Sequence, residues 1–90
     1  MGYSKLDYQL SDEWVDLTEI AGYDDLASVD VEIYAKYVNP CYVFIGGDTP
    51  PINDNGILLT TGNKVASKSD HLWVKGKGFI AILVVNDPIV

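Results

Sequence analysis

The sequence predicts an all-β fold, either a small antiparallel β-sandwich or a jelly-roll-like barrel of six to eight short strands. Its apolar residues recur mainly with a period of two, which is typical of half-buried strands. Turn-forming glycine, proline and asparagine residues separate these runs at intervals of about 8–12 residues, as in sandwiches and barrels. The 90 residues suffice for one domain with a thin core. We assign this domain to residues 14–90, preceded by an N-terminal arm at residues 1–13.

The composition excludes several classes of function. A formal net charge of −7 argues against binding to nucleic acid phosphates or to an anionic membrane surface. One cysteine and one histidine leave no internal disulfide and no zinc site rich in either residue, so neither a metal nor another cofactor is expected. No apolar run approaches the roughly 18 residues of a membrane span, and no signal-peptide core is recognisable. Membrane insertion is therefore not expected.

The segment that follows residue 10 fits two structures. Trp14, Leu17 and Ala21 have the spacing of a helical face. Residues 14–18 also alternate in the manner of a strand. We favour a strand over these residues, followed by a helical turn at residues 19–22.

Alternation is clearest in the middle of the chain. Residues 29–35 place valine, isoleucine and alanine on one face and polar side chains on the other, which predicts a half-buried strand. Two prolines and an Asn-Asp-Asn-Gly run make residues 48–56 a surface loop. Gly62 and Asn63 predict a hairpin turn that returns at residues 65–66. Further strands are expected at residues 41–45, 57–60, 71–75 and 79–85.

The last predicted strand, residues 79–85, is apolar on both faces. Antiparallel strands usually keep one polar face, so the second face is covered either by a loop or the arm of the same chain, or by another subunit. A Lys-Gly-Lys-Gly turn at residues 75–78 predicts a hairpin with the preceding strand. The residues expected to pack in the core or to line an assembly interface are Trp73, Phe79, Ile80, Ile82 and Val84.

Three candidates for chemistry are better explained as structure. The loop that begins at Asp48 has oxygen ligands that suit calcium, but its spacing does not fit an EF-hand. His71 follows Asp70, and neighbours on a strand point to opposite faces; no nucleophile motif such as Gly-x-Ser-x-Gly accompanies them. Cys41 has no basic group nearby in sequence to activate its thiol. No catalytic, cofactor-binding or metal-binding residue is assigned, and the protein is expected not to be an enzyme.

Exposed aromatic side chains indicate an alternative function. Tyr34 lies on the polar face of its strand, and Tyr42 is out of phase with the aliphatic residues beside it. Such rings stack on sugars or pack against a protein partner. A lectin-like or receptor-binding module would use them together with polar loop residues, namely Asn53, Asp54 and Asn55.

Three parts of the sequence form a familiar pattern. The first is WVDLT at residues 14–18, followed by Gly22 and the strand at residues 29–35. The second is NPCYV at residues 39–43, followed by a proline at 50 or 51 and GILL at residues 56–59. The third is Gly62, then HLWVK at residues 71–75 and the closing apolar strand. Over residues 14–85 the chain resembles small β-sandwich virion proteins of tailed bacteriophages, which decorate the head or tail or form a knob there.

The resemblance implies a structural virion protein, a homo-oligomeric head or tail accessory that assembles as a trimer and contacts other virion proteins. It also implies synthesis in the host cytoplasm and incorporation into the virion. An apolar last strand agrees with an oligomer, because a second subunit would cover its outer face. No binding or catalytic residue is carried over from the family.

Overall fold

The structure is a computed structural model that describes residues 3–36, 41–51 and 56–86. Within these ranges the chain forms nine strands and two 3-10 turns, the latter at Leu17–Glu19 and Asp24–Leu26. The strands are β1 (Tyr3–Ser4), β2 (Tyr8–Gln9), β3 (Val15–Asp16), β4 (Asp30–Ala35), β5 (Cys41–Ile45), β6 (Ile57–Leu59), β7 (Lys64–Lys68), β8 (Leu72–Gly76) and β9 (Phe79–Asn86). The predicted all-β fold is confirmed. The N-terminal arm contributes β1 and β2, which is why the strands outnumber the six to eight expected.

Two antiparallel sheets pack face to face. In the first sheet, β9 lies between β4 and the two short strands β1 and β2, and β7 follows β4. In the second sheet the strand order is β3, β8, β5, β6. The buried core draws on both sheets, for example Ile33 and Ile82 from the first and Val43 and Val74 from the second. The core therefore fills the space between the sheets, as in a sandwich.

Alternating side chains decide which face of a strand enters this core. β4 buries Val31, Ile33 and Ala35. Its outer face carries Glu32 and Tyr34, which are half-buried. The alternation predicted for this segment is therefore confirmed.

The inner face of β9 is fully occupied by the core. Ile80, Ile82 and Val84 are at most 2% exposed. These three side chains pack inside the protomer and are not accessible to a second subunit, so they have the packing role and not the assembly role expected for them. The N-terminal arm pairs along the edge of β9 through β1 and β2. Its strands thus extend the first sheet beside β9, while Phe79 on the outer face of β9 is 37% exposed.

Two hairpins expected from turn residues are not formed. β6 pairs with β5 in the second sheet, whereas β7 pairs with β4 in the first. Likewise β8 pairs with β3 and β5, whereas β9 pairs with β4. Gly62, at a φ of +91°, and the turn at residues 75–78 therefore carry the chain from one sheet to the other. A tight glycine turn suits either connection, so local turn chemistry does not distinguish them.

The segment after residue 10 becomes a short strand and a 3-10 turn. β3 ends at Asp16, and the turn begins at Leu17. Asp16 Oδ1 accepts hydrogen bonds from the Thr18 N–H, at 3.0 Å, and from Thr18 Oγ1, at 2.7 Å. This cap ends the strand two residues before the expected position, because the Asp16 side chain satisfies the backbone donor that a continuing strand would pair.

Candidate functional site

The strand at the end of the second sheet, β6, is apolar and exposed. Ile57 is 47% exposed, Leu58 is 54% exposed, and Ile45 at the end of β5 is 37% exposed. We call these three residues the β6 edge patch. The register pairs Val43 with Ile57 and Tyr42 with Leu58, so Ile57 and Leu58 point to opposite faces of the sheet. The edge is therefore apolar on both faces.

Natural sheet edges usually carry a protecting feature such as a lysine, a proline or a bulge. β6 consists of Ile57, Leu58 and Leu59, so its sequence includes no lysine and no proline. Within the described residues β6 is the last strand of its sheet, and its exposed aliphatic side chains make it a surface suited to contact with another chain.

The outer face of the second sheet is aromatic. Trp73 pairs with Phe44 on this face, because the residues that flank them point into the core. Trp73 Nε1–H donates to the Gly47 carbonyl oxygen over 2.8 Å, and Trp73 is only 8% exposed. Lys75 Nζ lies 5.5 Å from the ring centroid of Trp14, within the range of a cation–π interaction. This face therefore combines aromatic rings with a cationic group.

A polar contact joins β3 to the residue that precedes β8. His71 Nδ1 lies 2.6 Å from Asp16 Oδ2, and the Leu72 N–H donates to Asp16 Oδ1 over 3.2 Å. The side chain of Asp16 is 5% exposed and that of His71 is 31% exposed. The buried carboxylate of Asp16 thus holds the end of β3 against the start of β8, at what we call the β3–β8 junction.

The contact changes the acidity of both groups. Burial raises the pKa of Asp16, but the hydrogen bonds to its carboxylate outweigh burial and leave this pKa below its usual value. The hydrogen bond with Asp16 raises the pKa of His71, and the negative charges of Asp16, Asp48 and Asp70 act in the same direction. The pair is therefore held as carboxylate and imidazolium over a wider pH range than isolated groups.

Three potential metal ligands meet at this junction. One ligand atom each of Asp16, Glu19 and His71 lies within 4.8 Å of the other two. Asp70, which precedes His71 in the sequence, was not expected to contact its imidazole, and the structure places Asp16 there instead. These residues are 55 positions apart, and no local pattern predicts their contact.

The predicted interface residues occupy different parts of the molecule. Trp73 is buried on the outer face of the second sheet, and Phe79 is partly exposed on the first. Ile80, Ile82 and Val84 lie in the core between them. The five residues therefore do not form one surface. The sequence did not predict that β6 is exposed, because three consecutive aliphatic residues are equally typical of a buried strand.

The predicted ligand-contact residues are also separated. Tyr34 lies on the outer face of the first sheet, where its hydroxyl donates to Glu32 Oε1. Tyr42 is half-buried on the outer face of the second sheet. Because the two faces are on opposite sides of the sandwich, the two tyrosines cannot line one binding site. The loop residues Asn53, Asp54 and Asn55 lie outside the described residues.

Cys41 is buried at the start of β5. Its Sγ donates to the Leu59 carbonyl oxygen at 3.4 Å, and burial raises the pKa of the thiol. A raised pKa disfavours the thiolate that nucleophilic chemistry needs. The expected burial of Cys41 is confirmed.

Comparisons of the chain with protein-family models, with curated proteins and with solved structures find no match. Among the described residues, no helix has the length and apolar character required to cross a membrane.

Proposed function

We propose that the protein is a non-enzymatic structural component that assembles with copies of itself, and that the assembly is a head or tail accessory of a tailed-bacteriophage virion. The resemblance of residues 14–85 to small phage β-sandwich proteins supports the virion part. The two-sheet sandwich is the fold which that resemblance implies. Contacts with other virion proteins, and synthesis in the host cytoplasm before incorporation, belong to the same proposal.

The β6 edge patch is the observation that carries the assembly. Ile45, Ile57 and Leu58 are each more than one-third exposed, and exposed apolar side chains at the end of a sheet favour burial against a partner. The resemblance favours a trimer. In a closed trimer the patch of each subunit meets a different surface of the next subunit, because a threefold axis creates heterologous contacts.

The mass of the protein in solution tests the assembly. We expect light scattering after gel filtration to give about three times the chain mass of 9.9 kDa at about 50 μM protein. The double variant Ile57→Lys/Leu58→Lys should be a folded monomer, because two charges in a buried contact oppose association. Leu6→Lys is the matched control, since Leu6 is 84% exposed and lies outside the patch.

The outcomes separate the parts of the proposal. A wild-type monomer, or a Leu6→Lys variant that dissociates as readily as the double variant, would overturn assembly through β6. A mass of two chains would keep the assembly and overturn the trimer, since two β6 edges would then pair about a twofold axis.

The position in the virion is tested by immunogold electron microscopy of purified phage from the same source. We expect gold on the head or at one end of the tail. Particles without gold, in a lysate that contains the protein, would overturn the virion proposal. Self-assembly would then be tested separately, by the mass of the protein in solution.

The aromatic outer face of the second sheet favours a second candidate, a lectin-like or receptor-binding module. Trp14, Tyr42 and Lys75 belong to this face. If it binds sugars, glycan-array binding is lost in Tyr42→Ala and kept in Tyr34→Ala, because Tyr34 lies on the opposite side of the sandwich. Absence of binding by the wild-type chain to any glycan counts against this candidate.

A further inference from the structure

Asp16, Glu19 and His71 come from three different elements and meet at one point. Asp16 ends β3, Glu19 ends the first 3-10 turn, and His71 precedes β8. Their ligand atoms lie within 4.8 Å of one another. Asp16 is buried, His71 is half-buried and Glu19 is exposed. Asp16 is thus held inside the fold, whereas the group faces solvent at Glu19.

The surroundings of Asp16 orient its carboxylate. Oδ1 accepts from the Thr18 N–H, from Thr18 Oγ1 and from the Leu72 N–H. Oδ2 is directed at His71. Hydrogen bonds that hold one oxygen of a carboxylate also orient the other oxygen, as the bonds around metal ligands do.

The junction has an excess of negative charge. Asp48 and Asp70 act electrostatically on His71 in addition to Asp16. The lysine pairs of the described chain lie elsewhere, at Lys5–Asp25, Lys36–Asp7 and Lys64–Glu32. A cation bound among these carboxylates would reduce their mutual repulsion.

We propose that Asp16, Glu19 and His71 bind one divalent cation of the Zn²⁺ class, with water completing the coordination. One imidazole nitrogen and two carboxylate oxygens suit Zn²⁺, whereas Ca²⁺ and Mg²⁺ prefer oxygen ligands alone. The cation takes the place of the proton between His71 Nδ1 and Asp16 Oδ2, and that proton passes to solvent.

The geometry requires only a small adjustment. Bonds of about 2.0–2.1 Å at tetrahedral angles separate two ligand atoms by about 3.3 Å. The Nδ1–Oδ2 distance of 2.6 Å must therefore lengthen slightly, which a rotation of the half-buried imidazole allows. The exposed side chain of Glu19 is free to move towards the third position. Bound metal would lock β3, the 3-10 turn and β8 together, independently of assembly through β6.

Zn²⁺ titration of the full chain, freed of metal with EDTA and dialysed, tests the site. His71 is the only histidine in the sequence, so its imidazole NMR signals are unambiguous. We expect these signals to shift with one equivalent of Zn²⁺ per chain. At ten times the dissociation constant, the thermal midpoint should rise by about 6–11 °C for a domain of this size. Ca²⁺ at the same concentration should leave the imidazole signals unchanged.

Two variants that each remove one negative charge distinguish a defined Zn²⁺ site from nonspecific attraction of the cation to an acidic surface. Glu19→Gln should weaken Zn²⁺ binding roughly tenfold or more, because one charged ligand is lost. Glu13→Gln removes the same charge from another exposed position and should bind as the wild type does. Both substitutions are at exposed side chains, so the fold is expected to be kept. Imidazole signals that do not respond to ~1 mM Zn²⁺, or equal weakening by both variants, would overturn the proposal.

Discussion

His71 Nδ1 lies 2.6 Å from Asp16 Oδ2, although the two residues are 55 positions apart in the chain. The same carboxylate accepts hydrogen bonds from Thr18 and from the Leu72 N–H. Asp16 therefore ends β3, caps the first 3-10 turn and fastens the start of β8. Much of the local order at this end of the second sheet depends on one buried side chain.

Removal of this carboxylate should destabilise the fold. Asp16→Ala leaves buried backbone donors without an acceptor and removes a cap, so we expect the free energy of unfolding to fall by about 2–3 kcal/mol. Urea unfolding followed by tryptophan fluorescence, at one protein concentration, measures the change. Asp12→Ala, at an exposed position, should stay within about 0.5 kcal/mol of the wild type. A loss below about 1 kcal/mol for Asp16→Ala would contradict the role assigned to it.

The pH dependence of the His71–Asp16 pair follows from the direction of its two pKa shifts. The raised pKa of His71 stabilises the fold below the usual value of 6.5, and this contribution is lost as pH rises through the folded pKa. The lowered pKa of Asp16 stabilises the fold above the usual value of 3.8 and is lost as pH falls through the folded pKa. The pair therefore contributes most between these two usual values.

NMR titration of the single imidazole, with EDTA present, checks this dependence. We expect His71 to titrate above 6.5 in the folded chain and to return towards 6.5 in urea. In Asp16→Asn the pKa of His71 should fall, because the hydrogen bond to a charged acceptor is lost. Identical titration of the wild type and Asp16→Asn would show that the contact is not formed in solution.

A side chain at Gly56 would be both strained and crowded. Its φ is +124°, and an added Cβ would lie 3.0 Å from the Val43 carbonyl oxygen and 3.1 Å from Trp14 Cη2. Gly56→Ala should therefore destabilise the fold by more than about 1 kcal/mol. Gly22 also has a positive φ, of +89°, but an added Cβ there meets nothing within 4 Å. Chemical denaturation should show a smaller loss for Gly22→Ala, and equal losses would contradict the close approach at Gly56.

The reactivity of Cys41 reports on unfolding of the core around β5. The residue is 2% exposed, and it is the only cysteine in the sequence. We expect an aromatic disulfide reagent to react with it slowly in the native protein and rapidly in urea, because both access and thiolate formation require unfolding. Rapid, complete labelling of the native protein would mean that β5 is not packed as described.

Several strands were predictable because their sequence alternates. Val31, Ile33 and Ala35 share one face of β4 whatever the partner strand is, since the period of a strand is two. Strands β5, β8 and β9 were predicted within about one residue from runs of apolar residues that are bounded by turn residues. The sequence of β9 did not reveal which of its two faces enters the core, because both faces carry apolar residues.

The candidate sites were harder to predict. The contact between Asp16 and His71 depends on β3 and β8 becoming neighbours, and nothing local to either residue specifies that pairing. The exposure of Ile57 and Leu58 depends on β6 being the last strand of its sheet. In sequence, ILL at residues 57–59 is indistinguishable from a strand in the middle of a sheet.

The class of fold, the positions of the main strands and the inward faces of those that alternate can be predicted from the amino-acid sequence alone. These properties follow from the two-residue period of a strand and the hydrophobicity of each side chain, and they do not depend on which strands become neighbours. The folded chain adds which sheet each strand joins, which strand forms an edge and which distant residues meet. Those outcomes depend on long-range pairing, because a glycine turn such as that at Gly62 permits a return within one sheet or a crossing to the other, and only burial of the whole core selects between them.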